Sequence, residues 1–134
     1  MPTSEIIYTG ELHCKAVHTR SGVIIETDAP TDNQGKGESF SPTDSVATAL
    51  GTCMLTTMGI IADKNGLKID NTSAKVTKIM ASAPRRISEI HIEVSFPPNH
   101  YSEQQKQLLE DTALNCPVAK SIHPDIKQKV TFLY

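Results

Sequence analysis

The feature that most restricts how this 134-residue chain can fold is a run of 18 residues without a charge, SVATALGTCMLTTMGIIA, at positions 45–62. Eighteen apolar residues are the lower limit for a helix that crosses a membrane. Five of these residues are Ser or Thr and two are Gly, however, which makes a weak signal for membrane insertion. We therefore predict a buried helix of a soluble protein, capped by Ser41 or Thr43, running from Pro42 to Asn65 and ending at Gly66.

The sequence on both sides of this helix predicts short strands and two further helices. Ser102 and Gln105 form the pattern of a capping box at the start of the second helix, and a phase change among the apolar residues after Arg86 predicts a β-bulge near Ser88. The predicted elements are strands at 5–10, 11–19 and 22–28, the long helix, strands at 69–82 and 86–96, helices at 102–115 and 117–122, and a strand at 127–134. The order βββαββααβ predicts one α+β domain over residues 1–134, with a curved antiparallel sheet around a long central helix.

Composition excludes several classes of function. Thirteen basic against fifteen acidic residues give a formal net charge of −2, and the basic residues are scattered, so we expect neither nucleic acid nor a membrane as a partner. The first ten residues lack the basic start and apolar block of a signal peptide, which favours a cytoplasmic protein with reduced thiols. The three cysteines and five histidines follow no zinc-binding spacing, so we predict no metal and no bound cofactor.

The local sequence around each cysteine gives a different expectation. Cys14 shares the small, apolar face of a strand with Leu12 and Ala16, so it is expected to point inward with Leu12 as structural filler. Pro117 favours the first position of a helix, so Cys116 is expected to be its N-cap, where the helix dipole lowers the pKa of the thiol. An inert buried thiol fits the position of Cys116 equally well. Cys53 lies mid-helix among apolar residues and, on local grounds, reads as a core thiol.

Three segments change that interpretation of Cys53. The runs FSPTDSVATALGTCM, NCPVAKSI and HTRSGVIIETDAPTDNQGKGE resemble the OsmC/Ohr family of thiol-dependent hydroperoxide reductases, and the resemblance spans nearly the whole chain. It implies that Cys53 is the peroxidatic cysteine, that Cys116 is the resolving cysteine and that Arg20 stabilises the thiolate. It also implies an intertwined homodimer with its sites at the interface.

One position departs from the pattern of the organic-hydroperoxide branch of this family. There a glutamate follows the proline of the long helix and pairs with the arginine, whereas this chain has Thr43 at that place and Asp44 one residue later. One helical position turns a side chain by about 100° around the axis. We therefore predict that Asp44 caps the helix instead of orienting Arg20, and the resemblance is closer to the general OsmC-like branch.

The resemblance implies a peroxidase for organic hydroperoxides or hydrogen peroxide in oxidative stress defence. The Cys53 thiolate would become a sulfenic acid, which Cys116 would convert to a Cys53–Cys116 disulfide. An external dithiol or lipoyl-type reductant would then reduce that disulfide. We predict an apolar substrate pocket lined by Met54, Leu55 and Met58. The alternative is a noncatalytic domain that binds a small hydrophobic ligand and has structural cysteines. A Cys/His hydrolase using His100 or His123 is disfavoured, because no motif places a histidine near a thiol.

Overall fold

The computed structural model describes all 134 residues of the chain and groups them into two compact units, Met1–Ser45 and Val46–Tyr134. The α+β class and the order βββαββααβ are confirmed. The strands and helices are β1 Ser4–Gly10, β2 His13–His18, β3 Ile24–Asp28, α1 Pro42–Lys64, β4 Ser73–Ala81, β5 Arg86–Ser95, α2 Glu103–Leu114, α3 Pro117–Ser121 and β6 Lys127–Leu133. A short 3-10 turn at Thr31–Asn33 lies in the loop between β3 and α1.

The N-terminal unit contains a three-stranded antiparallel sheet in the order β1-β2-β3. The turn between β1 and β2 places Glu11 and Leu12 at φ values of 55° and 62°. Leu12 is 45% exposed as a result, so the prediction that it points inward beside Cys14 is wrong. The left-handed turn interrupts the strand alternation before Cys14, which is itself partly buried.

Helix α1 begins as the sequence predicts. The Ser41 Oγ accepts a hydrogen bond from the Asp44 N–H at 3.0 Å, and the Asp44 Oδ2 accepts one from the Ser41 N–H at 3.0 Å. These reciprocal bonds satisfy two donors that a helix start otherwise leaves open. The prediction that Asp44 caps the helix is confirmed, and α1 ends at Lys64, followed by Gly66 at φ 67°.

The C-terminal unit contains a second three-stranded sheet in the order β4-β5-β6. Strands β4 and β5 are antiparallel, and the register shift between Ile79 and Met80 leaves Ser88 as the extra residue, which confirms the predicted bulge. Strand β6 runs parallel to β5, so the prediction of a single antiparallel sheet is wrong in this respect. Because α2 and α3 lie between β5 and β6, the connection is long enough for the crossover that parallel pairing requires.

The core of this unit lies between one face of α1, the inner face of β5 and helix α2. Its fully buried side chains include Leu50 and Met54 of α1, Ile90 and Ile92 of β5, and Leu109 of α2. By length and composition α1 could cross a membrane, a test that the core helix of a soluble protein also passes. The predicted capping box of Ser102 and Gln105 is present and determines where helix α2, which contributes Leu109 to the core, begins.

Candidate active site

Two cysteines that are far apart in sequence meet in the C-terminal unit. Cys53 lies in the middle of α1, and Cys116 is the N-cap of α3, as predicted, with Pro117 at the first helical position. The Val118 N–H donates a hydrogen bond to the Cys53 Sγ at 3.5 Å, and the Cys53 and Cys116 thiols are close enough for each to shift the pKa of the other. Because proline has no N–H, Val118 supplies the first free backbone donor of α3.

The two thiols differ in exposure. Cys116 has no exposed surface and belongs to the hydrophobic core, whereas Cys53 is only partly buried and packs at the edge of that core. Both are free thiols. A reagent from solvent therefore reaches Cys53 first.

The pKa of the Cys53 thiol lies below its ordinary value. Burial, the largest single effect, raises it, but hydrogen bonds from the Val118 N–H, from Cys116 and from Thr57 together outweigh burial. The Thr57 hydroxyl is the weakest of these partners, because it donates to the Cys53 carbonyl oxygen and lies 3.9 Å from the Sγ. The thiolate of Cys53 is thus stabilised mainly by the start of α3 and by its neighbouring thiol.

The pKa of Cys116 is shifted in the opposite direction. Burial raises it, the Ala119 N–H partly opposes that effect, and the interaction with Cys53 raises it further. The prediction that the N-cap position lowers the pKa of Cys116 is therefore wrong, because full burial outweighs the helix start. Of the two thiols, Cys53 is therefore the more acidic.

Arg20, Thr43 and Asp44 belong to the N-terminal unit. Arg20 is exposed on the turn between β2 and β3, where the His18 N–H donates to the Val23 carbonyl oxygen at 2.8 Å. The Thr43 Oγ1 lies 3.3 Å from the Ser41 Oγ at the start of α1. The action of Arg20 on the Cys53 thiolate stays a prediction.

The predicted substrate pocket is wrong for two of its three residues. Met54 and Met58 have no exposed surface and are packed in the core, because they lie on the face of α1 that meets the sheet. Leu55, on a neighbouring face, is partly exposed and lines a shallow hollow of about 250 Å³ between α1 and the segment that precedes β4. Thr56, Gly59 and residues 69–72 complete that hollow.

Three groups at the site were not found from the sequence. They are the N–H groups of Val118 and Ala119 and the hydroxyl of Thr57. Pro117 carried the signal for the first of these, because a proline at the first helical position makes the next residue the first free donor. Thr57 lies four residues after Cys53, a spacing that places two side chains on the same face of a helix.

These features define an α+β domain with a paired-cysteine site between a long helix and the start of a short one. The chain belongs to the OsmC-like protein family, whose model matches residues 35–131. No curated protein matches the chain.

Solved structures support the same assignment. A protein from Psychrobacter arcticus 273-4, proposed to be an osmotic stress induced and detoxification response protein, is 52% identical, with a TM-score of 0.94 over 98% of this chain and 96% of that chain. The organic hydroperoxide resistance protein OsmC from Legionella pneumophila is 14% identical, with a TM-score of 0.76 over 100% and 98% of the two chains. An organic hydroperoxide resistance protein from Elizabethkingia anophelis is 15% identical, with a TM-score of 0.76 over 99% and 96%. At such low identity the last two share the fold alone.

Proposed function

We propose that this protein is a cytoplasmic, thiol-dependent peroxidase that reduces organic hydroperoxides, or hydrogen peroxide, in defence against oxidative stress. The observation that carries the proposal is that a partly exposed Cys53, with a lowered pKa, lies at the start of α3 beside a buried Cys116 with a raised pKa. Two relatives of the same fold are named organic hydroperoxide resistance proteins, which supports this substrate class.

In the first step the Cys53 thiolate attacks the distal oxygen of the hydroperoxide. The O–O bond breaks, the alkoxide leaves as an alcohol after taking up a proton, and the sulfur becomes a sulfenic acid, oxidised by two electrons. The exposure and lowered pKa of Cys53 support this role, because the thiolate is the nucleophile and must be reachable from solvent. Arg20 is proposed to add positive charge at this step, on the strength of the family resemblance.

In the second step the Cys116 sulfur displaces hydroxide from the Cys53 sulfenic acid. The hydroxide leaves as water with the Cys116 proton, and a Cys53–Cys116 disulfide forms. The hydrogen bond from the Val118 N–H to the Cys53 Sγ supports this pairing, because it brings Cys53 to the start of α3, where Cys116 is the N-cap. An external dithiol or lipoyl-type molecule then returns both cysteines to thiols and becomes a disulfide itself.

We further propose that the protein is a homodimer. Five large apolar side chains on the strands of the N-terminal sheet are between 52% and 68% exposed in a single chain, namely Ile6, Ile7, Tyr8, Ile24 and Ile25. Exposed apolar surface of this extent marks an interaction site. Sedimentation velocity tests the proposal, which a monomer at micromolar concentration would overturn.

Treatment of the reduced protein with cumene hydroperoxide, followed by mass spectrometry, tests the peroxidase. We expect a Cys53–Cys116 disulfide in the native chain, and a sulfenic acid on Cys53 that dimedone traps in Cys116→Ser. Cys53→Ser should lower the rate of peroxide consumption at least about 10³-fold, as loss of a nucleophile does. Cys14→Ser is the matched control and should behave as the native chain. Should Cys53 stay reduced at many equivalents of peroxide, the proposal is wrong.

A second experiment tests Arg20. We expect Arg20→Ala to raise the pKa of Cys53, followed by the ultraviolet absorbance of the thiolate against pH, and to slow its oxidation. Arg86→Ala is the control, because the Arg86 guanidinium is exposed and donates to the nearby carbonyl oxygens of Ser82 and Pro84. An unchanged Cys53 titration in Arg20→Ala would remove Arg20 from the site.

A further inference from the structure

His13, in the N-terminal unit, lies between two carboxylates of β3. Its Nδ1 is 2.7 Å from the Asp28 Oδ1, and its Nε2 is 3.1 Å from the Glu26 Oε1. Asp28 is only 5% exposed. His13 faces Asp28 directly in the β2–β3 register, so the sheet itself holds the ring in this place.

This geometry depends on the charge of the ring. A neutral imidazole has one N–H and can donate to only one of the two carboxylates, which leaves a lone pair facing the other. The imidazolium has two N–H groups and donates to both. The observed arrangement is therefore satisfied only when His13 is protonated.

The loop of residues 29–41 begins directly after Asp28, and the end of the loop is hydrogen-bonded back to β3 at the two residues that carry the carboxylates. The Asp28 N–H donates to the Phe40 carbonyl oxygen at 3.1 Å, and the Ser39 hydroxyl donates to the Glu26 carbonyl oxygen at 2.9 Å. The next residue, Ala29, donates its N–H to the carbonyl oxygen of Leu12, beside His13, at 3.0 Å. A change in the His13 contacts therefore acts on both ends of the loop.

Other charged groups surround the same place. A cavity of about 450 Å³ is lined by His13 together with Glu11 of the β1–β2 turn and Lys36 and Glu38 of the loop. The Lys36 Nζ lies 2.8 Å from the Glu11 Oε2, which partly neutralises the loop side of the cavity. Lys15 lies opposite Glu26 in the β2–β3 register. The carboxylates within hydrogen-bond distance of the His13 ring are those of Asp28 and Glu26.

We propose that His13 is a proton-dependent latch, in which the imidazolium bound to Asp28 and Glu26 holds the loop of residues 29–41 on the sheet and loss of its proton releases that loop. The direction with pH follows from the carboxylates. Hydrogen bonds from Asp28 first and Glu26 second raise the pKa of His13 above its ordinary 6.5, against a smaller effect of burial. The latch is closed below pH 6.5 and opens as the pH rises through the raised pKa.

An NMR titration between about pH 5.5 and 9, around the ordinary histidine pKa, tests the latch. The chemical shifts of the His13 ring are followed against pH. The hydrogen-exchange protection factors of the Asp28, Ala29 and Gly35 amides, corrected for intrinsic exchange, are measured over the same range. In the native chain we expect protection to fall several-fold with a midpoint that coincides with the ring titration. In Asp28→Asn we expect both midpoints to move to lower pH.

His13→Gln should abolish the pH dependence of amide protection, and His18→Gln, at the other end of β2, should leave it as in the native chain. The proposal is overturned if protection in the native chain does not change with pH, or if His13→Gln retains the same change. If His13→Gln fails to fold, the native chain alone decides. The proposal is then overturned if the midpoint of the ring titration and the midpoint of the amide protection differ by more than about one pH unit.

Discussion

Two glycines of α1 provide a matched test of how closely β4 packs against this helix. A Cβ added at Gly51 would lie 2.9 Å from the Val76 Cγ2, whereas a Cβ added at Gly59 would meet nothing within 4 Å. Alanine in place of glycine inside a helix stabilises it by about 1 kcal/mol. We therefore expect Gly59→Ala to raise the free energy of unfolding by about 1 kcal/mol.

Gly51→Ala makes the same gain in helix propensity but adds a steric conflict. The branched side chain of Val76 is restricted at χ1 and cannot easily turn away. Overpacking of this kind costs about 1–3 kcal/mol, so the variant should be destabilised by about 0–2 kcal/mol. The free energies of unfolding of the two alanine variants should thus differ by about 1–3 kcal/mol.

Urea unfolding at one fixed protein concentration measures this difference. In a Val76→Ala background the conflicting methyl group is absent, and Gly51→Ala should then stabilise the protein about as much as Gly59→Ala does. Equal stabilisation by both alanines in the native background would refute the packing argument.

Further predictions concern the thiols, a helix cap and the core. Iodoacetamide should modify Cys53 rapidly at neutral pH, and the alkylation rate should reach its plateau at a lower pH than that of an ordinary thiol. The buried Cys116 should react only after urea is added. Equal labelling of both cysteines in the folded protein would contradict the site geometry. Ser102→Ala removes the hydrogen bond that the Ser102 hydroxyl accepts from the Gln105 N–H and should cost about 1 kcal/mol in urea unfolding. A change below about 0.3 kcal/mol would contradict that role. Met58→Ala, in the core, should cost about 2–5 kcal/mol, whereas Ile60→Ala, at a side chain that is 54% exposed, should cost less than about 1 kcal/mol.

The parts of the fold that sequence predicted correctly depend on contacts within a few residues. The start of α1 at Ser41 and Asp44 and the capping box at Ser102 and Gln105 are each closed by side chains three positions apart. The bulge at Ser88 follows from the alternation of its own strand. Local chemistry determines such features, so local sequence is sufficient to predict them.

The features that were missed depend on burial by distant parts of the chain. The N-cap position alone favours an acidic Cys116, but the core that surrounds this residue raises its pKa instead. Periodicity placed Met54 and Met58 on an apolar face and did not reveal that this face is closed by β5. The pairing of Cys53 with Cys116 came from the family resemblance, since no spacing rule connects a helix interior with a distant N-cap.

The parallel pairing of β6 with β5 has a consequence for how the chain folds during synthesis. The β4–β5 hairpin can form as soon as both strands have emerged, but β6 follows only after α2 and α3 have been made. Until then β5, whose inner face carries the most deeply buried isoleucines, is a sheet edge with unpaired backbone groups. Open edges of this kind pair readily with other chains. The nascent protein is therefore most prone to aggregate in the interval between β5 and β6, and truncation before β6 should raise the insoluble fraction above that of the native chain.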